Sequence, residues 1–151
     1  MVRLKFRYII GQLLDEQGGQ GVSQGGGPSV GEADLQSIIK DKISQLFGDC
    51  GLGLFGSTTR VRLFDSERLI FVLRAPRESF NEVFFALTSI CDIKKKPIVT
   101  RVLSVCSCVR TCRDKLTQVY ATYTELDDSL SQSEKDDSYA SILNRISATD
   151  L

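Results

Sequence analysis

Along this chain the apolar residues change their spacing repeatedly, and the order of those changes constrains the fold more than any composition figure. At the amino terminus Val2, Leu4, Phe6 and Tyr8 alternate with Arg3, Lys5 and Arg7. That is the period of two of a strand with one buried face, expected over Val2–Leu13. Leu35, Ile38, Ile39, Ile43, Leu46 and Phe47 then recur at three and four, a helical stripe. Ser29-Val-Gly-Glu32 supplies a capping box before it, and Gly48 a stop after it. A second strand is expected over Ser57–Phe64, where Val61 and Leu63 alternate with Arg60 and Arg62. The Asp65-Ser-Glu67 turn leads into the continuously apolar Leu69–Leu73, the pattern of a central strand. Pro76 is placed to open a second helix, with Phe80, Val83, Phe84, Leu87, Ile90 and Cys91 as its stripe. A fourth strand over Ile98–Val109 and a third helix follow. Thr111 is the expected N-cap of that helix, and Leu116, Val119, Tyr120 and Tyr123 form its apolar side.

The order strand-helix-strand-strand-helix-strand is the split βαβ arrangement. It predicts an α+β, ferredoxin-like (RRM-like) sandwich with an added carboxy-terminal helix. Strands one and three are central in that topology, and the first two helices cover one face. Arg3, Lys5 and Arg7 are then expected in a row on the uncovered face. Base-stacking readers of this shape carry aromatic side chains on strands one and three, with glycines in strand three. Here strand three reads Arg68-Leu-Ile-Phe-Val-Leu-Arg74, and strand one offers cations. Phosphate and shape contacts to folded RNA fit this pattern better than single-strand reading.

Charge divides the chain where the periodicity ends. The 151 residues have a formal net charge of zero. Residues 1–123 carry 17 Lys and Arg against 12 Asp and Glu, whereas residues 124–151 carry 2 against 7. We therefore expect a domain over 1–123 and an acidic, largely disordered tail over 124–151. A flexible Gly/Gln-rich insertion is expected over about 15–31. No run approaches the ~20 apolar residues that span a bilayer, and no signal peptide is apparent, so a soluble intracellular protein without a membrane partner is expected.

Several chemistries lose their residues. The chain has no histidine, which removes histidine triads, general bases and metal ligands. The five cysteines include Cys106-x-Cys108-x3-Cys112, but no CxxC pair, so they read as reduced thiols and not as a zinc site. Gly51-x-Gly53-x-x-Gly56 follows a helix and precedes a strand, the reverse of a dinucleotide loop, and is expected as a turn. The cations are what remains. Arg3, Lys5 and Arg7 are candidate phosphate contacts, with Arg110, Arg113 and Lys115 at the start of the third helix, where backbone N–H groups also attract anions. Arg60 and Arg62, and Lys94, Lys95 and Lys96, are further candidates beside their reading as solvated surface.

Specific blocks of this sequence resemble the POP-five family of RNase P/RNase MRP proteins. They are Met1-Val-Arg-Leu-Lys-Phe-Arg-Tyr8, Ile43-x-x-Leu46-Phe-Gly48, Gly51-x-Gly53-x-x-Gly56, Phe71-x-Leu73-Arg74, Val83-x-x-Ala86-Leu-Thr88, Arg101-Val-Leu103-x-Val105 and Val109-Arg-Thr-Cys-Arg113. The resemblance implies a non-catalytic RNA-binding subunit of ribonuclease P, and of RNase MRP, in tRNA and rRNA processing. The catalytic RNA, with its own Mg2+, would carry the cleavage, and the protein would need no cofactor. It further implies a TIM-barrel-like protein partner, other complex subunits, and a place in the nucleus and nucleolus. Two departures stand out: Cys106-Ser-Cys108 occupies a turn that often contains glycine in that family, and the Gly/Gln insertion does not match the family pattern.

Two other readings compete. A small phosphatase on the same fold would need a cation in the loop after strand one, and no Lys or Arg occurs between Gly11 and Ile39. A ferredoxin-like protein-interaction or regulatory module without RNA would draw on apolar residues such as Leu52, Leu54 and Phe55.

Overall fold

The computed structural model describes residues 5–15, 30–94 and 96–126, together with 140 and 144. Strand β1 (Phe6–Asp15) is followed by helix α1 (Glu32–Gly51), a π-helical turn (Leu52–Gly56), β2 (Arg60–Asp65) and β3 (Ile70–Pro76). Then come α2 (Phe80–Thr88), a two-residue β4 (Asp92–Ile93), β5 (Lys96–Cys106) and α3 (Val109–Leu126). The sheet order is β2-β3-β1-β5-β4, with every pairing antiparallel. Apart from the short β4 this is the expected ferredoxin-like α+β sheet, with β1 and β3 at its centre.

The centre of the sheet is buried on both faces, which is why Ile70, Phe71, Val72 and Leu73 are all fully buried in succession. Phe71 and Leu73 face one layer, formed with Leu35, Ile39 and Ile43 of α1 and Val83, Ala86 and Leu87 of α2. Ile70 and Val72 face a second layer, formed with Cys112, Leu116 and Tyr120 of α3. Gly11 permits the tightest contact of the first layer. A Cβ there would stand 2.4 Å from Phe71 Cζ, so only a bare backbone lets that ring lie across the strand.

Two covered faces change the meaning of the amino-terminal alternation. Tyr8 and Ile10 lie under α3, while Ile9 and Leu13 lie under α1 and α2. Phe6 packs with the α3 layer, so Arg7 shares the parity of Ile9 and stands on the α1/α2 side at the strand's start. Lys5 precedes the strand and is exposed, its carbonyl accepting from Arg77 N at 2.9 Å. The expected cation row on an uncovered mid-sheet face is therefore corrected. The third helix covers that face, and the strand runs Phe6–Asp15 rather than Val2–Leu13. Alternation over eight residues marks two sides but does not say which helix will cover each.

Other boundaries move for local reasons. Gly48 adopts φ +64°, kinks the helix and lets it resume, so Gly51-x-Gly53-x-x-Gly56 is helical and not a turn. Pro76 ends β3 opposite Phe6, and α2 starts four residues later after Ser79. Gly31 precedes α1, donating its N–H to Asp34 Oδ2 at 3.0 Å. Ser29, the Gly/Gln-rich insertion, Arg3, Lys95 and nearly all of the acidic tail lie outside the described residues. No helix among the described residues is long and apolar enough to cross a membrane.

Candidate nucleic-acid interface

A single row across the sheet organises the basic residues. Arg60 on β2 lies opposite Arg74 on β3, Arg74 opposite Tyr8 on β1, and Tyr8 opposite Cys106 on β5. Tyr8 and Cys106 belong to the layer under α3, so cross-strand partners in this row share that side of the sheet. From Cys106 the chain turns through Ser107 and Cys108 straight into α3. The row therefore ends at the amino terminus of an 18-residue helix.

An irregularity of β2 falls at Arg62, two residues along from Arg60. Val61 packs in the α1/α2 layer and Leu63 in the α3 layer, although regular alternation would place both on one face. The register shift between them leaves Arg62 unpaired in the ladder, the extra residue of a bulge. On α3 itself, Val109, Cys112, Leu116, Val119, Tyr120 and Tyr123 line the inner side. Arg113 is half-buried, two turns before Tyr120 and on nearly the same line of the helix. Tyr120 reaches Asp65 on β2, so that line faces the β3–β2 side, where Arg62 and Arg74 lie. Arg110 is exposed in the first turn, and Lys115 is exposed with Nζ 3.4 Å from Gln118 Oε1.

Three of the arginines, on β2 and β3, stand without an anionic partner among the described residues. Among the described residues no carboxylate lies within ion-pair distance of Arg60, Arg62 or Arg74. The Nε atoms of Arg62 and Arg74 are buried and donate to no acceptor. Arg74 instead lays its guanidinium over the Phe6 ring, Cζ 4.3 Å from the centroid. Like charges directly opposite each other on a sheet destabilise it by roughly 0.2–1 kcal/mol. A buried donor without an acceptor costs about 1–3 kcal/mol. The isolated fold therefore carries an unfavourable positive cluster.

The adjacent helix start also favours negative charge. Cys108 accepts the first helical bond, from Cys112 N at 3.1 Å, so Cys108 and not Thr111 is the residue at the cap. The Thr111 hydroxyl, 3.1 Å from Cys108 Sγ, holds the thiol below its ordinary pKa, aided by the backbone N–H groups of Thr111 and Arg110. One turn later, burial pushes the Cys112 thiol up to about 12, with Cys106 beside it adding to the shift. Exposed and at the helix start, the first thiol is shifted toward easier ionisation; buried, the second is held neutral. The group is no metal cage: among the described residues no three His, Cys, Asp or Glu side chains are placed to hold an ion.

Some sequence-predicted candidates are brought together and others are not. Arg60, Arg62, Arg110 and Arg113 gather around the sheet end and the start of α3. Lys5 and Arg7 reach the same end, with Arg7 on the opposite side of the sheet. Lys94 and Lys96 lie at the other end, beside the β1 residue Asp15 that pairs with Ile98. Seven residues of strand, roughly 23 Å, separate that rung from Tyr8. There Lys94 takes φ +50° and bonds Asp34 Oδ2 at 2.9 Å, tying the β4–β5 turn to the start of α1. Sequence reasoning missed Arg74 and Arg77. An arginine closing an otherwise apolar central strand was the available signal.

The apolar residues singled out at the π-helical turn divide as well. Phe55 is buried edge-to-face with Phe47, their centroids 5.6 Å apart, while Leu54 is 70% exposed.

This architecture has close counterparts. The chain is similar to the probable ribonuclease P/MRP protein subunit POP5 of Arabidopsis thaliana, 28% identical over 114 residues, 76% of either chain. It is similar to the ribonuclease P/MRP protein subunit POP5 of Schizosaccharomyces pombe, 28% identical over 113 residues, covering 73% of this chain and 81% of that one. Its fold superposes on a chain in the cryo-EM structure of yeast ribonuclease MRP with a TM-score of 0.53 at 12% identity, covering 85% of this chain and 97% of that one. The family model described as Rpp14/Pop5 matches residues 7–117, which take in β1, both helical layers and the start of α3. The chain is a member of the Rpp14/Pop5 family.

Proposed function

We propose that this chain is an RNA-binding protein subunit of a ribonuclease P/MRP-type ribonucleoprotein. Its relatives carry those subunit names, and the observation that carries the reading is the arginine row running into the start of α3. Arg60, Arg62, Arg110 and Arg113 meet backbone phosphates there, and helix N–H groups add to the attraction. Recognition is by phosphate position and helix shape. The sheet face that a base-stacking domain would use is filled by Leu116 and Tyr120; Tyr8 on β1 and Phe71 on β3 are buried, and the partly exposed Phe6 carries Arg74 over its ring.

The chain acts as an accessory subunit: the cleavage chemistry belongs to the RNA. A TIM-barrel-like subunit of the same complex is the proposed protein partner. Leu46, Leu54 and Phe85, 39%, 70% and 56% exposed on the helical side, offer apolar area for such a contact. The nucleus and nucleolus are the proposed location.

The test is to tag the full chain, purify it from its cells at moderate salt, and sequence the RNA that comes with it. One or two structured RNAs, recovered with activity on tRNA precursors, are expected. Protein partners without enriched RNA would overturn the reading in favour of an interaction module.

A further inference from the structure

We infer that Arg74, held over Phe6 and flanked by Arg60 and Arg62, is a preformed fork for one or two adjacent phosphates of an RNA backbone. The inference rests on the RNA-binding reading and extends it to a residue on a central strand.

Three independent features converge on Arg74. Its guanidinium is held over the Phe6 ring, Cζ 4.3 Å from the centroid, so its position is favoured before any ligand arrives. It stands directly opposite a second arginine, Arg60, with Arg62 two residues further along β2 at the bulge. The Nε atoms of Arg62 and Arg74 are buried without an acceptor. A half-buried guanidinium in a sheet interior usually has a carboxylate, and among the described residues none pairs with these three. The described residues leave that counter-charge unsupplied. A phosphodiester suits it in charge, in the planar two-point geometry an arginine offers, and in its repeat along a backbone.

The site predicts a trade between stability and binding that a merely structural arginine would not show. In the free protein, Arg74→Met removes a repelling charge while keeping length over Phe6, so its melting temperature should equal or exceed that of the original chain. Inorganic phosphate, compared with chloride at equal ionic strength, should raise the melting temperature of the original chain and not of Arg74→Met. Binding of a short RNA hairpin should weaken roughly 10- to 100-fold in Arg74→Met. The slope of log affinity against log salt should fall by about one. Arg74→Lys keeps the charge but not the stacked fork, and should lose affinity with little change of slope. Arg60→Met, on the exposed edge strand, gives a parallel reading that does not depend on a central-strand substitution.

A melting temperature lowered in Arg74→Met, with no phosphate response in the original chain, would make Arg74 a structural prop and overturn the inference. Hairpin binding unchanged in all three variants would also overturn it, while leaving the RNA-binding reading intact. A phosphate response that depends on Arg74, in a chain that binds no RNA, would overturn both as stated and leave a site for free phosphate.

Discussion

The two ends of α3 meet the same sheet in opposite ways. At its carboxy-terminal end the polar groups are matched: Tyr120 donates to Asp65 Oδ2 at 2.8 Å, and Tyr123 donates to Gln12 Oε1 at 2.6 Å. Gln12 in turn donates to the Arg68 carbonyl, and Arg68 lies over the Tyr120 ring. At its amino-terminal end, Arg60, Arg62 and Arg74 have no carboxylate among the described residues, and two of their nitrogens are buried without acceptors. One end is a latch that closes within the chain. The other is left without a counter-charge by the described residues. Buried polar groups satisfied internally hold a fold, whereas unsatisfied ones of a single sign mark where a ligand belongs.

That contrast can be broken in steps. The largest effect is expected for Leu116→Ala, which removes the fully buried side chain between the two ends. It should cost about 2–5 kcal/mol in urea unfolding. Near-full stability would mean α3 is not integral to the fold.

Tyr120→Phe attacks the latch alone. It takes the hydroxyl from a buried carboxylate and should cost about 1–3 kcal/mol. Hairpin affinity, measured below the melting transition, should not change. An equal loss of binding would mean the two ends are coupled.

Arg110→Ala tests the other end. It should leave stability within about 0.5 kcal/mol, because the side chain is exposed, while lowering the salt slope of RNA binding by about one. An unchanged slope would remove the first turn of α3 from the interface.

The smallest effect belongs to a charge that is paired but exposed, away from both ends. The hydrogen bond from Lys94, then that from Gly31 N, holds the Asp34 carboxyl below its ordinary pKa. Asp34 therefore stabilises the folded state fully above the ordinary carboxylate pKa, and that contribution is lost as pH falls through the depressed folded value. The gap in melting temperature between the original chain and Asp34→Asn should be small, shrink on acidification and shrink with added salt. A gap that widened in acid would contradict the pairing.

Much of the fold was legible because it depends on local spacing. The stripe of Leu35, Ile39 and Ile43 and the unbroken run Ile70–Leu73 announce a helix and a central strand without knowledge of their neighbours. Strand order followed from the succession of elements. The candidate site was legible only in part. Arg110 and Arg113 were visible as cations at a helix start, but Arg74 was one arginine at the end of an apolar strand, with nothing in sequence to place it opposite Arg60 or over Phe6.

By itself, then, the sequence determined the kinds of elements, their order and the stock of cations, since apolar period and side-chain charge are properties of short stretches. Only the tertiary structure decided which face of β1 is covered by which helix. That choice depends on α3 folding back over the sheet, about a hundred residues after the strand it covers. With it came the side on which Arg7 stands, and the gathering of arginines from β2, β3 and α3 at one end. Cross-strand register and one bulge set that gathering, and neither is written in the spacing of any single segment.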